Sequence, residues 1–371
     1  VRTVGQADED ARLPSGFVTR LTLAEDDQAG GLAGALERAP GVTVNRQSSW
    51  GQAALARVRG GTPRQLMILL NGVPLRAPAG LGFDVGSLSV DAVDAARVYR
   101  GPAAVVWGAG SLSGAIALEA GAPRAPASPT ARVTLHGGSF GALGASAQAA
   151  APLGQGASVK AAAWARRAAG DYPFVDAQGT PLTRVNNDHA RFGALLAARA
   201  PVAGGRLDAA ALFDGGERGV AGPAEFQEAL DAARAAEQRA AVTSAWRARG
   251  VASGDWGVVD ARLVSGLQWR GSAYENADAL LGGARIDQAA DAVGFMGAGE
   301  LSAYVGGVNF STLRAELRRE GFSQRARGEG AASRVVGAIS AQRARAALAV
   351  ADEHLLFDGA LRLNASARLD G

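Results

Sequence analysis

ARVRGGTPRQLMILLNGVPL at residues 56–75 and VDAARVYRGPAAVVWGAGSLSGAIALEA at residues 93–120 decide how the rest of the chain is read. In the first stretch a nearly all-apolar run over residues 65–70 meets Asn71-Gly72 and then Val73. Asn and Gly tolerate the positive φ angles of a two-residue hairpin loop, so this spacing predicts a buried hairpin. In the second stretch, residues 96–99 form a brief β-prone segment stopped by Arg100-Gly101-Pro102. Residues 103–107 follow, then a glycine-rich turn through Gly108, Gly110 and Gly114, and a last apolar run over residues 115–118. These glycines lack the spacing of a dinucleotide-binding turn, and no βαβ pattern surrounds them.

Upstream, LAGALERAPGVTV at residues 32–44 carries Leu32, Ala35 and Leu36 at helical spacing, with Pro40-Gly41 as a stop. A short amphipathic helix followed by a strand at residues 42–45 is expected. Residues 1–27 are polar and acidic around Asp8-Glu9-Asp10, with one strand expected at residues 17–23. RGGTPRQLMILLNGVPL and YRGPAAVVWGAGSLSGAIAL resemble the two signature segments of the plug domain of TonB-dependent outer-membrane receptors. LAGALERAPGVTV resembles the helix-then-strand element that opens the same plug. The three segments stand in the family's order and at its spacing.

Composition removes several other classes. The 371 residues hold 38 basic and 35 acidic side chains, a formal charge of +3, with Lys160 as the single lysine. Arginines scattered singly among apolar residues do not make a nucleic-acid footprint, so no nucleic-acid partner is expected. The absence of cysteine removes disulfides, thiolate chemistry and zinc–thiolate sites. The 51 glycines and 14 prolines follow no period, which speaks against collagen. Pro123, Pro126 and Pro129 stand among small residues at 121–129, the best linker in the chain. A mixed α/β plug is therefore expected over residues 1–124, and a second domain over residues 125–371.

Beyond residue 130 the texture becomes alternation. Val259, Ala261, Leu263, Leu267 and Trp269 share one strand face, while Asp260, Arg262, Gln268 and Arg270 share the other. Residues 355–370 read as one more such strand, with Leu361, Leu363 and Leu369 against Arg362, Asn364 and Arg368. Period-2 runs of about 9–11 residues suit tilted membrane-spanning strands, with lipid on one face and a polar lumen on the other. About eleven such strands can be counted. Short turns at residues 152–156, 201–205 and 251–255 alternate with long polar loops at 170–187, 214–238 and 271–286, the asymmetry of an outer-membrane barrel. The expected fold class is thus a mixed α/β plug followed by an antiparallel transmembrane β-barrel. Plugged transporters of this type have about 22 strands, so about half are expected to lie outside this sequence. The sequence opens at Val1 without Met and stops after a strongly patterned segment, and is read as a trimmed or mature form.

Gly137-Gly138-Ser139-Phe140-Gly141 matches G-x-S-x-G, but a nucleophile elbow needs a strand-to-helix turn, and the alternating residues 142–151 follow. It is read as a hairpin loop. His136, His189 and His354 are too dispersed for a metal cluster. No catalytic residues, metal or cofactor are expected. Residues 224–240 are read as an amphipathic helix in a surface loop.

The resemblance implies a ligand-gated importer in the outer membrane of a Gram-negative bacterium, taking up a ferric siderophore or a cobalamin-like nutrient. Its partners would be outer-membrane lipid, the small-molecule ligand and periplasmic TonB, whose contact box precedes the family's plug and would at most end within residues 1–4. The alternative is a non-transporting surface protein, an adhesin or phage receptor on the same fold. Two tip loops at residues 46–52 and 76–83 offer Ser48, Ser49, Trp50, Arg76, Pro78 and Phe83 as ligand contacts. They combine a stacking face, a fixed charge and a rigid turn; Trp50 could equally pack on the barrel wall. Asp171, Tyr172, Asp176, Asn186 and Asp188 gather aromatic, carboxylate and amide groups in the first long loop. Such carboxylates could hold Ca²⁺, as in some cobalamin-type receptors of the family, although turn formation explains them too. In the family, plug arginines at the positions of Arg59 and Arg100 pair with barrel glutamates; the alternative is a solvated loop arginine.

Overall fold

The computed structural model describes residues 2–3, 17–23, 31–46, 52–75, 82–100, 106–121, 128–222, 232–276, 285–306, 308–330, 333–357 and 360–371. The first part of the chain contains strands β1 (Arg2–Thr3) and β2 (Phe17–Thr22), helix α1 (Gly31–Glu37), and strands β3 (Val42–Arg46) and β4 (Ala54–Val58). Strands β5 (Leu66–Leu70), β6 (Val73–Leu75), β7 (Ala95–Arg100) and β8 (Gly114–Glu119) complete it. Its main sheet has the order β1-β2-β7-β8-β5-β6, with β5 parallel to β8. All five residues of β5 are buried, as a continuous apolar run requires of a strand covered on both faces. Leu32 and Leu36 of α1 pack with Val58, Ile68, Leu70, Val98, Ile116 and Leu118.

The expected hairpin joins β5 to β6, with Leu70 opposite Val73. Its loop residues Asn71 and Gly72 have φ of 52° and 92°, values that an Asn-Gly pair reaches at low cost. Asn71 does more than turn the chain. Its amide donates to the Ala120 carbonyl at 2.7 Å and to Thr243 Oγ1 at 3.0 Å, and its Oδ1 accepts from the Ala120 amide at 2.9 Å.

The second part is a curved antiparallel sheet. It comprises β9 (Thr130–Gly138), β10 (Ala142–Gly154), β11 (Ala157–Ala168), β14 (His189–Val202), β15 (Gly205–Gly219) and β16 (Arg234–Gly254), continued by β17 (Gly257–Asn276), β18 (Arg285–Val305), β19 (Asn309–Gly330), β20 (Ser333–Leu356) and β21 (Leu361–Asp370). These eleven strands pair strictly with their neighbours in sequence, leaving β9 and β21 as edges. The short strands β12 (Pro173–Val175) and β13 (Pro181–Thr183) form a separate hairpin within the loop between β11 and β14. The plug sheet ends at Glu119 and the second sheet starts at Thr130; the expected boundary at residue 124 lies outside the described residues. No described helix is long and apolar enough to cross a membrane.

Three expectations need correction. Residues 355–370 are not one strand: β20 ends at Leu356, Phe357 turns the chain at φ 53°, and β21 begins at Leu361. The turn kept the alternation in phase, so periodicity alone could not reveal it. Two long loops are shorter than read, because β15 runs to Gly219, β16 starts at Arg234, β17 runs to Asn276 and β18 starts at Arg285. The helix expected at 224–240 is strand from Arg234 onward, and residues 223–231 lie outside the described residues. By contrast, Phe140 and Gly141, at φ 59° and 71°, make the β9–β10 turn, the hairpin reading of that glycine motif.

Facing follows the alternation. Phe192, Leu196, Leu263, Leu267, Leu313 and Leu317 are exposed on the outer face, while Leu195, Val264, Arg314 and Glu316 between them are buried inward. The inner face departs from the polar lumen expected. At mid-height Ala162, Trp164, Leu195, Ala197, Ala210 and Leu212 belong to the plug's own core, and Val73 packs with Ala245, Val264, Met296 and Ala298. A lumen filled by folded protein is an interior, so apolar packing replaces water there. Gly266 shows how close the approach is: a Cβ on it would lie 2.5 Å from a Val73 methyl.

Above and below this belt the contacts are ionic and hydrogen-bonded. On the long-loop side Arg166 donates to the Gly86 carbonyl at 2.8 Å, Arg218 pairs with Asp84 at 3.3 Å, and Arg239 donates to Ser87 Oγ at 3.2 Å. On the short-turn side Lys160 pairs with Asp94, Arg368 donates to the Val106 carbonyl at 2.8 Å, and the Arg314 guanidinium lies 4.7 Å from the Trp107 ring centroid. In these described latches the cation belongs to the sheet and the acceptor to the plug. Arg100 donates to the Pro40 carbonyl at 2.7 Å and to Thr19 Oγ1 at 2.5 Å, both inside the plug. Burial, with the Arg59 charge nearby, pulls its guanidinium below the ordinary value. Arg59 itself is exposed in a turn at φ 51°.

Two outcomes follow for the complete protein carrying this chain. Leu363 is 52% exposed on the outer side of β21, and Arg368 of the opposite parity reaches inward to Glu316. Leu363→Arg would place a guanidinium in hydrocarbon at a cost of about 2–4 kcal/mol near the midplane. It should impair membrane assembly, read as the heat-modifiable folded band on a gel, far more than Asn364→Arg; equal assembly would reverse the facing. Gly266→Ala should lower the melting temperature and Val73→Ala should restore part of the loss, with a coupling of about 0.5–3 kcal/mol in a double-mutant cycle. Strictly additive effects would separate the two residues.

Candidate functional site

The long-loop end of the plug rises from a buried ionic network. Asp84 anchors it: its Oδ1 accepts from the Ala54 amide at 2.8 Å and the Gly86 amide at 2.9 Å, and its Oδ2 pairs with Arg218. Asp214, only 1% exposed, takes Arg191 at 3.3 Å and Arg239 at 3.0 Å. Glu237 takes Arg239 at 2.7 Å and Arg270 at 2.8 Å. Sharing Asp214 and Glu237 each between two guanidiniums offsets the desolvation of their members, whereas removing one arginine would leave a buried charge unbalanced. Geometrically this is a rigid floor.

Phe83, at the end of the second expected tip loop, borders that floor. Ser48, Ser49, Trp50, Arg76 and Pro78 lie outside the described residues. Gln52, the last residue of the first loop, is buried and donates to the carbonyls of Asn187 at 3.2 Å and Gly219 at 3.3 Å, which ties that end of the loop to the long-loop ends of β14 and β15. Nothing in the local pattern singled out Gln52, because its acceptors are backbone groups more than a hundred residues away. Phe83 requires a correction. It is 5% exposed, belongs to the plug core, and lies 4.6 Å beneath the Arg239 guanidinium, so it supports the floor and does not face the exterior.

The first long loop is organised by the residues singled out from the sequence, largely in structural roles. Tyr172 stacks between Phe140 at 5.7 Å and Phe174 at 6.3 Å. Asp176 closes the β12–β13 turn by accepting from the amides of Gln178 at 2.9 Å and Thr180 at 2.7 Å. Asn186 donates to the carbonyls of Val220 at 3.2 Å and Ala233 at 2.8 Å, and Asp188 holds Arg234 at 2.7 Å. Asp171 is exposed at the loop rim. The turn-forming account of these acids thus has direct partners, and no group of three or more metal-ligating side chains occurs among the described residues.

At the opposite end, between the plug strands β2, β7 and β8 and the short-turn ends of the sheet, lies a cavity of about 690 Å³. Tyr99 and Trp107 contribute aromatic surface, with ring centroids 6.3 Å apart. Burial pushes the Tyr99 hydroxyl above its ordinary value, so it remains a neutral donor at physiological pH. The molecule therefore has a loop-covered face on one side of the plug and a polar chamber on the other.

Residues 17–115 match the model of the TonB-dependent Receptor Plug Domain. The vitamin B12 transporter BtuB of Vibrio vulnificus (strain CMCP6) is 29% identical over 92 residues, which cover 25% of this chain and 15% of the transporter. Among solved structures, the copper transporter OprC superposes with a TM-score of 0.73 at 17% identity, covering 96% of this chain and 55% of OprC. The ferric yersiniabactin uptake receptor FyuA from Yersinia pestis superposes with a TM-score of 0.62 at 11% identity, covering 92% of this chain and 62% of the receptor. The chain thus spans little more than half the length of the structures it resembles, and at these identities their likeness is one of fold. Residues 17–115 thus carry the plug domain of TonB-dependent receptors, and with the eleven-stranded antiparallel sheet around it the chain has the fold of the receptors it resembles.

Proposed function

We propose that the protein imports a scarce nutrient across the outer membrane, of the ferric-siderophore or cobalamin-like class, by ligand-gated transport coupled to TonB. The observation that carries this reading is the two-sided plug. Its tip loops are tethered through Gln52 to the exterior ends of β14 and β15, while its other face opens on the 690 Å³ cavity. Ligand held between the tip loops and the exterior loops would bias the plug, and TonB would draw on inner-membrane energy to open a path. The relatives named as a vitamin B12 transporter and a ferric yersiniabactin uptake receptor support both ligand classes equally. Because the described latches join plug to barrel through hydrogen bonds and ion pairs at both ends, the plug is held by contacts that can exchange for water.

Uptake of labelled cobalamin and of labelled ferric siderophore, by cells with and without TonB and with and without this receptor, tests the proposal. TonB-dependent accumulation of one ligand is expected. Surface binding without accumulation would favour the adhesin or phage-receptor reading. Within the transporter reading, Trp50→Ala in the complete receptor should weaken binding of the imported ligand by about 1–3 kcal/mol, as loss of an aromatic anchor does. Its melting temperature should stay unchanged. Unaltered affinity with a lowered melting temperature would assign Trp50 to packing.

A further inference from the structure

The cavity on the short-turn side has an unbalanced wall. Among the described residues lining it, nine side chains are cationic and five anionic, an excess of four positive charges. The acids are already committed. Asp208 alone serves Arg199 at 2.5 Å, Arg206 at 3.1 Å and Arg247 at 3.5 Å. Glu119 serves Arg97 at 3.0 Å and Arg20 at 3.8 Å, and Asp94 serves Lys160. Asp260 accepts from the Gly250 amide at 3.0 Å, and Glu300 turns away to Arg314 at 3.2 Å. Among the described residues that leaves Arg262, on the inward face of β17 beside the Asn71-Gly72 turn, with no ion pair and with a buried Nε that makes no hydrogen bond.

Like charges gathered around one carboxylate repel one another, and in a partly enclosed space water screens that repulsion poorly. A structural core would have answered with further acids. The geometry points to an anion site: we propose that this chamber binds a multiply charged oxyanion, phosphate- or carboxylate-bearing, with Arg262 and Arg247 as its principal contacts. Guanidinium forks suit the paired oxygens of either group, and the volume falls in the range of small-molecule sites. Tyr99 and Trp107 give the same chamber an apolar side, so the anion can be carried on an organic body. The site is separated from the tip loops by the plug, and its occupancy does not depend on whether the protein transports.

The test is calorimetric titration of the complete detergent-purified protein with inorganic pyrophosphate in one arm and citrate in the other, at low and at physiological ionic strength. Saturable one-to-one binding of at least one probe is expected, weakening as salt rises. Arg262→Gln combined with Arg247→Gln should weaken it at least about tenfold, the factor set by about 1.4 kcal/mol. Arg167→Gln, on an exposed position of β11, should leave it unchanged. If the double variant melts early, Arg247→Gln alone provides the comparison, since Asp208 keeps Arg199 and Arg206. Pyrophosphate in preference to citrate would identify a phosphate ligand, and the reverse a carboxylate. Absence of saturable binding by both probes, or equal affinity of the folded variants, would overturn the proposal.

Discussion

A curved sheet that holds a folded domain must solve two solvent problems with one strand pattern. Its outer side chains are apolar and exposed and its inner ones face a protein surface, so each residue step reverses the required chemistry. Leu313, Arg314, Leu317 and Arg318 on β19 show the alternation in its sharpest form: the leucines are exposed outward, and the arginines are buried inward. Everything else in the architecture, including the latches, the ionic floor and the cavity, is built on that inward half.

The inward half is itself divided by height. A belt of small and apolar residues, with Trp164 and Leu195 as its bulkier members, completes the plug core. Arginines above and below the belt reach plug carbonyls, carboxylates and aromatic faces. Arginine suits this work because one guanidinium can donate to several acceptors and still lie on a ring, as Arg239 does with Asp214, Glu237, Ser87 and Phe83. Lys160, the single lysine, is spent on the carboxylate of Asp94.

The two ends of the plug differ in how their charges are balanced. At the exterior end each buried carboxylate is matched closely enough for the floor to be rigid. At the other end three arginines crowd Asp208, and Arg262 has no ion pair among the described residues. A charge-balanced network on one side of the plug and a cationic chamber on the other fit a protein whose two faces meet different solutes.

The sequence by itself determined the plug, the hairpin at Asn71-Gly72, the strand count of the second sheet and the apolar face each strand turns outward. Each of those rests on local chemistry: a turn that needs positive φ, a helical spacing, or a period of two. It could not show that residues 355–370 bend back into a hairpin, since a turn that preserves phase leaves no mark on alternation. Nor could it show that Phe83 is buried under Arg239, that Gly266 admits Val73, or that the latching cations sit on the sheet. Those pairings join residues 152, 193 and 66–262 positions apart, as with Ser87 and Arg239, Val73 and Gly266, Asp94 and Lys160, or Val106 and Arg368. Only closure of the sheet around the plug brings such residues within contact distance, so the tertiary structure alone decided them.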